Sequence, residues 1–274
     1  MSIKKDDGIG NLSSYRYHTI FKKFLKGELS NKEKKQFLQV LKDRRVIGES
    51  KGNIPLEYIF GKAMFMGNIL KCTPKTFIPR KDTELLVNVA LDYAQQIKKN
   101  IIVFDIGTGT GNIAISLALK IKHIHVFSSD ISSNALGIAQ ENVSYYHLDN
   151  KITLLYGGFF TPHQKYLTKV KADIIICNPP YIPTKKLEQL PPEIANYEPI
   201  NAFDGGPYGL NIFKEIISRS PHFLKSNGML LFEFGAGQEG LIERLFSRNG
   251  HYHNITYYKY NNEKRVVSAI YNNK

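Results

Sequence analysis

Residues 101–119 constrain the fold of this chain more than any other stretch. Ile101-Ile102-Val103-Phe104-Asp105-Ile106 reads as a buried strand, Gly107-Thr108-Gly109-Thr110-Gly111 as a glycine turn, and 112–119 as a helix. Glycines at alternate positions allow positive φ and let a ligand touch the backbone, and the following helix offers free amides at its start. A dinucleotide fingerprint would place its third glycine at position 112, where Asn112 stands. Nor would it require the acidic Asp105 before the turn, which repels a pyrophosphate and suits a cationic ligand.

Two further strand ends repeat the theme. The apolar segment 123–129 ends at Asp130, roughly twenty residues past the glycines, where an acidic side chain takes both ribose hydroxyls. A cap on the helix expected at 132–142 is the alternative for Asp130, and the two roles are compatible. The run Ala172-Asp173-Ile174-Ile175-Ile176-Cys177 ends at Asn178-Pro179-Pro180-Tyr181. Two consecutive prolines remove two backbone donors and fix φ, leaving the carbonyls of Asn178 and Pro179 free to face a ligand. A strand-terminating turn would explain that tetrapeptide alone. Asp105, Asp130 and Asn178 at successive strand ends instead point together to a nucleoside cofactor at the carboxyl edge of an open sheet. The acidic Asp105 is consistent with S-adenosylmethionine, which carries a sulfonium and an ammonium group.

With 274 residues and 42% hydrophobic content, the chain can bury one large core plus a small appended unit. Helices are expected at 15–25 and 31–45, the second with Phe37, Leu38 and Leu41 at helical spacing. A β-hairpin is expected over 58–72, with Ile59-Phe60, Met64-Phe65 and Ile69-Leu70 as its apolar pairs and Gly61 and Gly67 at the turns. Helices over 82–98, 112–120, 132–143, 211–224 and 238–246 alternate with strands, the pattern of a doubly wound, mostly parallel α/β sheet. The segments 252–260 and 265–271 are adjacent strands, so the last is expected to run antiparallel. The domains are read as 1–56, a small helical unit, 57–81, a hairpin linker, and 82–274, the α/β domain.

No apolar stretch reaches the length of a membrane span, and the start lacks the apolar core of a signal peptide. Asp6 and Asp7 argue against a transit peptide, so a cytoplasmic address with no membrane partner is expected. Cys72 and Cys177 lack metal-ligand spacing, so neither a metal site nor a disulfide is expected. The net charge of +13, from 37 basic and 24 acidic residues, is read mainly as solvated faces that would steer an acidic partner.

Four more segments carry a family resemblance. Phe77-Ile78-Pro79-Arg80-Lys81-Asp82-Thr83-Glu84, Tyr197-Glu198-Pro199, Ala202-Phe203-Asp204-Gly205-Gly206 and Asn262-Glu263-Lys264-Arg265-Val266-Val267, together with Asn178-Pro179-Pro180-Tyr181, resemble the HemK/PrmC-type glutamine methyltransferases of peptide-chain release factors. The resemblance covers roughly residues 54–271, and the segment at 77–84 is its most specific part. It implies a class I, Rossmann-like fold dependent on S-adenosylmethionine, with a small N-terminal helical domain that recognises substrate and a β-hairpin linker. It further implies methyl transfer to the glutamine of a Gly-Gly-Gln motif by a monomer with no stable nucleic-acid partner.

In that reading Asn178, Pro179, Pro180 and Tyr181 are catalytic and bind substrate, with Glu198 and Arg80 also at the substrate. Asp105, Gly107, Thr108, Gly109, Gly111, Asp130, Phe159 and Asn178 hold the cofactor. Glu198 and Pro199 shape the same pocket, and Arg80 and Glu84 link the hinge to the catalytic domain or contact substrate. Departures from the family pattern are Lys81 in place of a proline, Gly158 in place of an acidic residue that would accept from the adenine amino group, a shorter start, and a small insertion at 48–53. A DNA adenine methyltransferase is the nearest alternative, since an adenine amino group presents the same two hydrogens. The chain has no evident target-recognition domain for it. An RNA methyltransferase and a non-catalytic nucleotide-binding module are more distant alternatives.

Overall fold

The structure is a computed structural model that describes residues 14–43, 54–166 and 168–273. The chain opens with α1 (Ser14–Leu25) and α2 (Asn31–Asp43). The second begins at a capping box, in which the Ser30 hydroxyl accepts from the Glu33 amide at 3.3 Å and the Glu33 carboxylate accepts from the Ser30 amide at 3.0 Å. Phe37, Leu38 and Leu41 share a helical face, as their spacing predicts, and pack against Leu56 and Ile59 of a short helix, α3 (Leu56–Phe60). The expected continuation of α2 to residue 45 and the insertion at 48–53 lie outside the described residues, as do Asp6 and Asp7.

The hairpin is shorter than expected. Its strands are β1 (Lys62–Phe65) and β2 (Asn68–Lys71), while Ile59 and Phe60 are helical. Gly61 therefore ends a helix in the left-handed conformation and is not a hairpin turn. Met66 and Gly67, both at positive φ, form the two-residue turn that suits the strand twist. Ile59 and Phe60 form no strand because they pack on the helical cluster of α1 and α2.

From here strands and helices alternate: α4 (Thr83–Ala94), β3 (Ile101–Ile106), α5 (Asn112–Lys120), β4 (Ile124–Asp130), α6 (Ser133–Tyr145), β5 (Ile152–Tyr156), α7 (Thr161–Tyr166) and β6 (Ala172–Cys177). After a long irregular segment containing the single turn α8 (Pro192–Ala195) come α9 (Asn211–Arg219), β7 (Leu224–Glu233), α10 (Glu239–Asn249), β8 (Tyr252–Tyr260) and β9 (Glu263–Tyr271). The helix expected to reach residue 224 stops at Arg219 because Pro221 cannot continue it, and the chain turns into β7.

The seven strands form one sheet in the order β5-β4-β3-β6-β7-β9-β8. Pairings are parallel from β5 to β7, and β9 runs antiparallel to both β7 and β8. The doubly wound sheet with an antiparallel end is thus as expected. Both faces are buried, so the central strands read as continuous apolar runs. Val103, Ile174, Ile176, Met229 and Leu231 face the core under α4 and α5. Phe104, Ile175, Cys177, Leu230 and Phe232 face the core under α9 and α10. The chain winds outward from β3 through β4 to β5, then returns to place β6 on the other side of β3. The crevice at that reversal, at the carboxyl ends of β3 and β6, is where such sheets receive ligands.

Candidate active site

Strand alternation decides which residues meet in this crevice. Asp105, Asn178 and Glu233 share the parity of Val103, Ile176 and Leu231, so they fall on the side covered by α4. Cys177 pairs with Phe232, which sets Asn178 and Glu233 one residue further along neighbouring strands. Thr83, the first residue of α4, sits between them.

Asp105 is fully buried. Its Oδ2 accepts from the Thr108 hydroxyl at 2.6 Å and from the Ser128 hydroxyl at 3.4 Å, whereas its Oδ1 completes no hydrogen bond among the described residues, although the Ala114 amide at the start of α5 also acts on this carboxyl. Burial pushes the carboxyl up to about 7, partly offset by the Thr108 hydroxyl and reinforced by the nearby Asp130. Burial raises Asp130 as well. Two desolvated acids at adjacent strand ends make a place for positive charge.

Gly107, Gly109 and Gly111 all have positive φ, and nothing lies within 4 Å of where a Cβ on Gly107 or Gly109 would stand. The loop backbone is therefore open on its outer side. Its amides, however, point inward. Those of Gly107 and Thr108 donate to the Ser129 carbonyl at 2.8 and 2.9 Å, and that of Gly109 donates to Asp130 Oδ2 at 2.8 Å. The amides of Gly107, Thr108 and Gly109 are thus committed to the end of β4. Asp130 Oδ1 also accepts from the Ser132 amide at 2.9 Å. Ser132, not Asp130, caps α6, through its hydroxyl to Ala135.

Beyond Asp130, Ile131 is 70% exposed, unusual for a large apolar side chain, and its Cδ1 lies 3.6 Å from where a Cβ on Gly158 would stand. Phe159, also expected near a cofactor, packs partly against the second core, and its carbonyl accepts from the Ser129 hydroxyl at 3.4 Å. Ile131 and Gly158 form an apolar step beside Asp130. Ile131 is absent from the sequence expectations, although an isoleucine directly after an acidic strand end is a visible signal.

On the other side of the crevice, Asn178 Nδ2 donates to Thr83 Oγ1 at 2.9 Å, and Thr83 Oγ1 donates to Glu233 Oε2 at 2.7 Å. No donor among the described residues reaches Asn178 Oδ1 or the carbonyls of Asn178 and Pro179. The tetrapeptide thus presents a cluster of acceptors. Tyr181 donates to Glu233 Oε1 at 3.3 Å and accepts from Arg265 Nη2 at 3.0 Å, and Arg265 also pairs with Asp82 at 2.9 Å. Thr83, Glu233 and Arg265 carry no role in the sequence expectations. The signal for Glu233 is a carboxylate closing the apolar run Met229-Leu230-Leu231-Phe232.

The segment at 77–84 works as a set of anchors. Arg80 pairs with Glu198 and lies over the Phe77 ring, Asp82 pairs with Arg265, and Glu84 accepts from the Met66 amide at 2.8 Å. Lys81 is exposed, so a lysine in the place of a proline disturbs none of these contacts. Glu198, expected to touch substrate, is buried and directs both oxygens at the linker, one to Arg80 and the other to the Ile78 amide at 3.1 Å. Glu198 and Arg80 thus tie the linker to the segment at 197–199, and linking is one of the two roles expected of Arg80. A buried carboxylate requires such pairing.

Glycines hold the roof. The amide of Ile182 donates to the Phe203 carbonyl and that of Gly205 to the Ile182 carbonyl, both at 2.9 Å. A Cβ on Gly205 would stand 2.9 Å from the Pro180 carbonyl oxygen and from Tyr181 Cα, and one on Gly209 would strike the Tyr181 carbonyl. Gln238 completes the contact by donating to that same carbonyl at 3.0 Å. Gly209→Ala, with its collision and its positive φ, is therefore expected to lower the unfolding free energy by about 2–4 kcal/mol. Denaturant titration checks this, and an unchanged midpoint would show that the roof does not need the close approach.

Among the described residues there is no acidic, histidine or cysteine cluster able to hold a metal, and no helix is long and apolar enough to cross a membrane. The Methyltransferase small domain family matches residues 81–191. A release factor glutamine methyltransferase of Geobacter sulfurreducens is 39% identical over 215 residues, 78% of this chain and 72% of that protein. Another, of Moorella thermoacetica, is 37% identical over 84% of this chain and 77% of that protein. Among solved structures, the hMettl16 catalytic domain in complex with MAT2A 3′UTR hairpin 1 superposes with a TM-score of 0.60 at 18% identity, covering 97% of this chain and 91% of that one, a likeness of fold alone. With this fold, and at this identity over most of its length, the chain belongs to the release factor glutamine methyltransferase family.

Proposed function

We propose that this enzyme transfers a methyl group from S-adenosylmethionine to the side-chain amide nitrogen of the glutamine in the Gly-Gly-Gln motif of peptide-chain release factors. The observation that carries the reading is Asn178, whose amide nitrogen is tied to Thr83 while its Oδ1 remains unpaired at the strand end beside the crevice. Family membership supports the substrate class.

The residues present fit S-adenosylmethionine. The unpaired buried Asp105 Oδ1 suits its ammonium group, Asp130 retains acceptor capacity for ribose hydroxyls, and Ile131 with the open face at Gly158 suits an adenine ring. When bound, this cofactor supplies an electrophilic methyl group on sulfur.

A carboxamide nitrogen is a poor nucleophile because its lone pair is delocalised into the carbonyl, and no side chain deprotonates it cheaply near neutral pH. Positioning must supply the rate. Asn178 Oδ1 and the Pro179 carbonyl accept the two amide hydrogens, fix the direction of the nitrogen and stabilise the positive charge that develops on it. The ring of Tyr181, held between Arg265 and Glu233, forms a wall against the flat amide. The proton leaves once the nitrogen is methylated and acidic, so the chain needs no strong base. The enzyme acts in the cytoplasm as a monomer, and its basic surface steers the protein substrate.

The test is mass spectrometry of a bacterial-type release factor, and of an oligonucleotide duplex in parallel, after incubation with the protein and S-adenosylmethionine. One methyl on the Gly-Gly-Gln glutamine is expected. A methyl on adenine instead, or on neither substrate, would overturn the assignment.

A further inference from the structure

Both ends of the tetrapeptide Asn178-Pro179-Pro180-Tyr181 lead back to a single buried carboxyl, that of Glu233. At one end, Glu233 Oε2 accepts from Thr83 Oγ1 at 2.7 Å, and Thr83 Oγ1 accepts from Asn178 Nδ2 at 2.9 Å. At the other, Glu233 Oε1 accepts from the Tyr181 hydroxyl at 3.3 Å, and that hydroxyl accepts from Arg265 at 3.0 Å.

The order of donors along this chain has a consequence. An ionised carboxylate only accepts, and a threonine hydroxyl has one hydrogen. Once Thr83 gives that hydrogen to Glu233, it has only lone pairs to offer Asn178, and the amide must turn its NH₂ toward Thr83. Oδ1 is then driven into the crevice. The reversed amide would set Oδ1 against the lone pairs of Thr83, two acceptors face to face with no hydrogen between them.

We propose that Glu233 is a positioning residue for methyl transfer, acting through Thr83 to fix which end of the Asn178 amide faces the target nitrogen and directly on Tyr181 to hold the opposing wall. This rests on the reading that Asn178 Oδ1 receives the target amide. A second consequence follows from the same geometry. A protonated Glu233 can donate to Thr83, which then donates its own hydrogen to Asn178 and turns the amide around. The charged and titratable groups facing Glu233 are Asp82 from the start of α4, Tyr181 from the roof and Arg265 from β9. Burial, reinforced by Asp82, pushes its carboxyl up to about 7, while Thr83, Arg265 and Tyr181 pull the other way. Turnover accordingly declines as Glu233 takes up a proton.

The test is a cycle of Thr83→Val, Thr83→Ser, Asn178→Ala and the double variant Thr83→Val/Asn178→Ala, together with Glu233→Gln, whose amide can donate to Thr83 and undo the order of donors; it is expected to lower kcat about as far as Thr83→Val, and a wild-type kcat in it would overturn the role of Glu233. Each is assayed by mass spectrometry of release factor for kcat and KM, with cofactor binding followed by calorimetry and folding by thermal melts. Thr83→Val, which keeps shape and loses the hydroxyl, is expected to lower kcat roughly 10–100-fold with KM and cofactor Kd nearly unchanged. Thr83→Ser should restore most of the rate. In the Asn178→Ala background the valine should cost nothing further, because the group it orients is gone.

A wild-type kcat for Thr83→Val, an undiminished penalty in the Asn178→Ala background, or failure of serine to rescue would each overturn the positioning role while leaving the role of Asn178 intact. Wild-type turnover in Asn178→Ala would instead remove the underlying reading, and this proposal with it. Should Thr83→Val not fold, Thr83→Ala carries the same readout.

Discussion

Asn178→Ala is expected to lower turnover by about two to four orders of magnitude while cofactor affinity stays nearly unchanged. The asymmetry follows from where the side chain is held. Its nitrogen is anchored on Thr83, and its oxygen is the free end. Truncation therefore removes an acceptor aimed at the target amide and leaves untouched Asp105, Asp130 and the loop from Gly107 to Gly111. The Pro179 carbonyl survives the change, because the two prolines and the contact of Gly205 with Pro180 fix the backbone on their own. One acceptor without the other leaves the nitrogen free to swing out of line, and the developing positive charge loses half of its stabilisation. Single-turnover mass spectrometry of a release factor gives the rate, and calorimetry gives the cofactor dissociation constant. Turnover close to that of the unaltered enzyme would sink the mechanism, whereas a lost rate accompanied by lost cofactor binding would mean that Asn178 serves the cofactor first.

The parts of this site legible in the sequence are those fixed by local periodicity. Asp105, Asp130 and Asn178 each close an apolar strand, so their arrival at one sheet edge follows from a parallel pattern and needs no knowledge of strand order. The relay from Asn178 through Thr83 to Glu233 is different in kind. Thr83 and Glu233 are 150 residues apart, and they meet only because β6 returns beside β3 and β7 adds next to it. Strand order is a tertiary result. The same limit explains Ile59 and Phe60, whose apolar pairing resembles a strand but whose partners, in α1 and α2, draw them into a helix. It also explains Glu198, whose motif marks it as important without revealing that its oxygens meet Arg80 and Ile78. The glycine loop shows a subtler gap, since glycines announce an open backbone but not the direction of its amides, which the end of β4 decides.

Asp105→Asn is expected to weaken cofactor binding about 10–100-fold at pH 8, the range for losing a hydrogen bond to a charged group. At pH 6 the loss should be much smaller. The unaltered Asp105 titrates near 7 because it is buried, so in the free protein it is mostly protonated at pH 6 and mostly ionised at pH 8. Cofactor affinity of the unaltered chain should therefore rise by about tenfold across that interval, and the asparagine variant should lack this rise. Stability of the unliganded protein moves the opposite way. The folded-state value lies above that of an ordinary aspartate, so between about pH 4 and pH 7 the folded chain holds the proton more tightly than the unfolded chain does, and stability falls as pH increases through that window. Asparagine removes this share of the decline, leaving that of Glu233, whose shift has the same sign. The variant should thus melt higher than the unaltered protein at pH 8 without ligand, and gain less from added cofactor. A carboxylate retained at a cost to the free fold and recovered only when a cation arrives is the signature of a binding group. If Asp105→Asn instead binds cofactor as tightly as the unaltered chain at pH 8, the unpaired oxygen faces nothing cationic, and the glycine loop rather than the acid must carry the recognition.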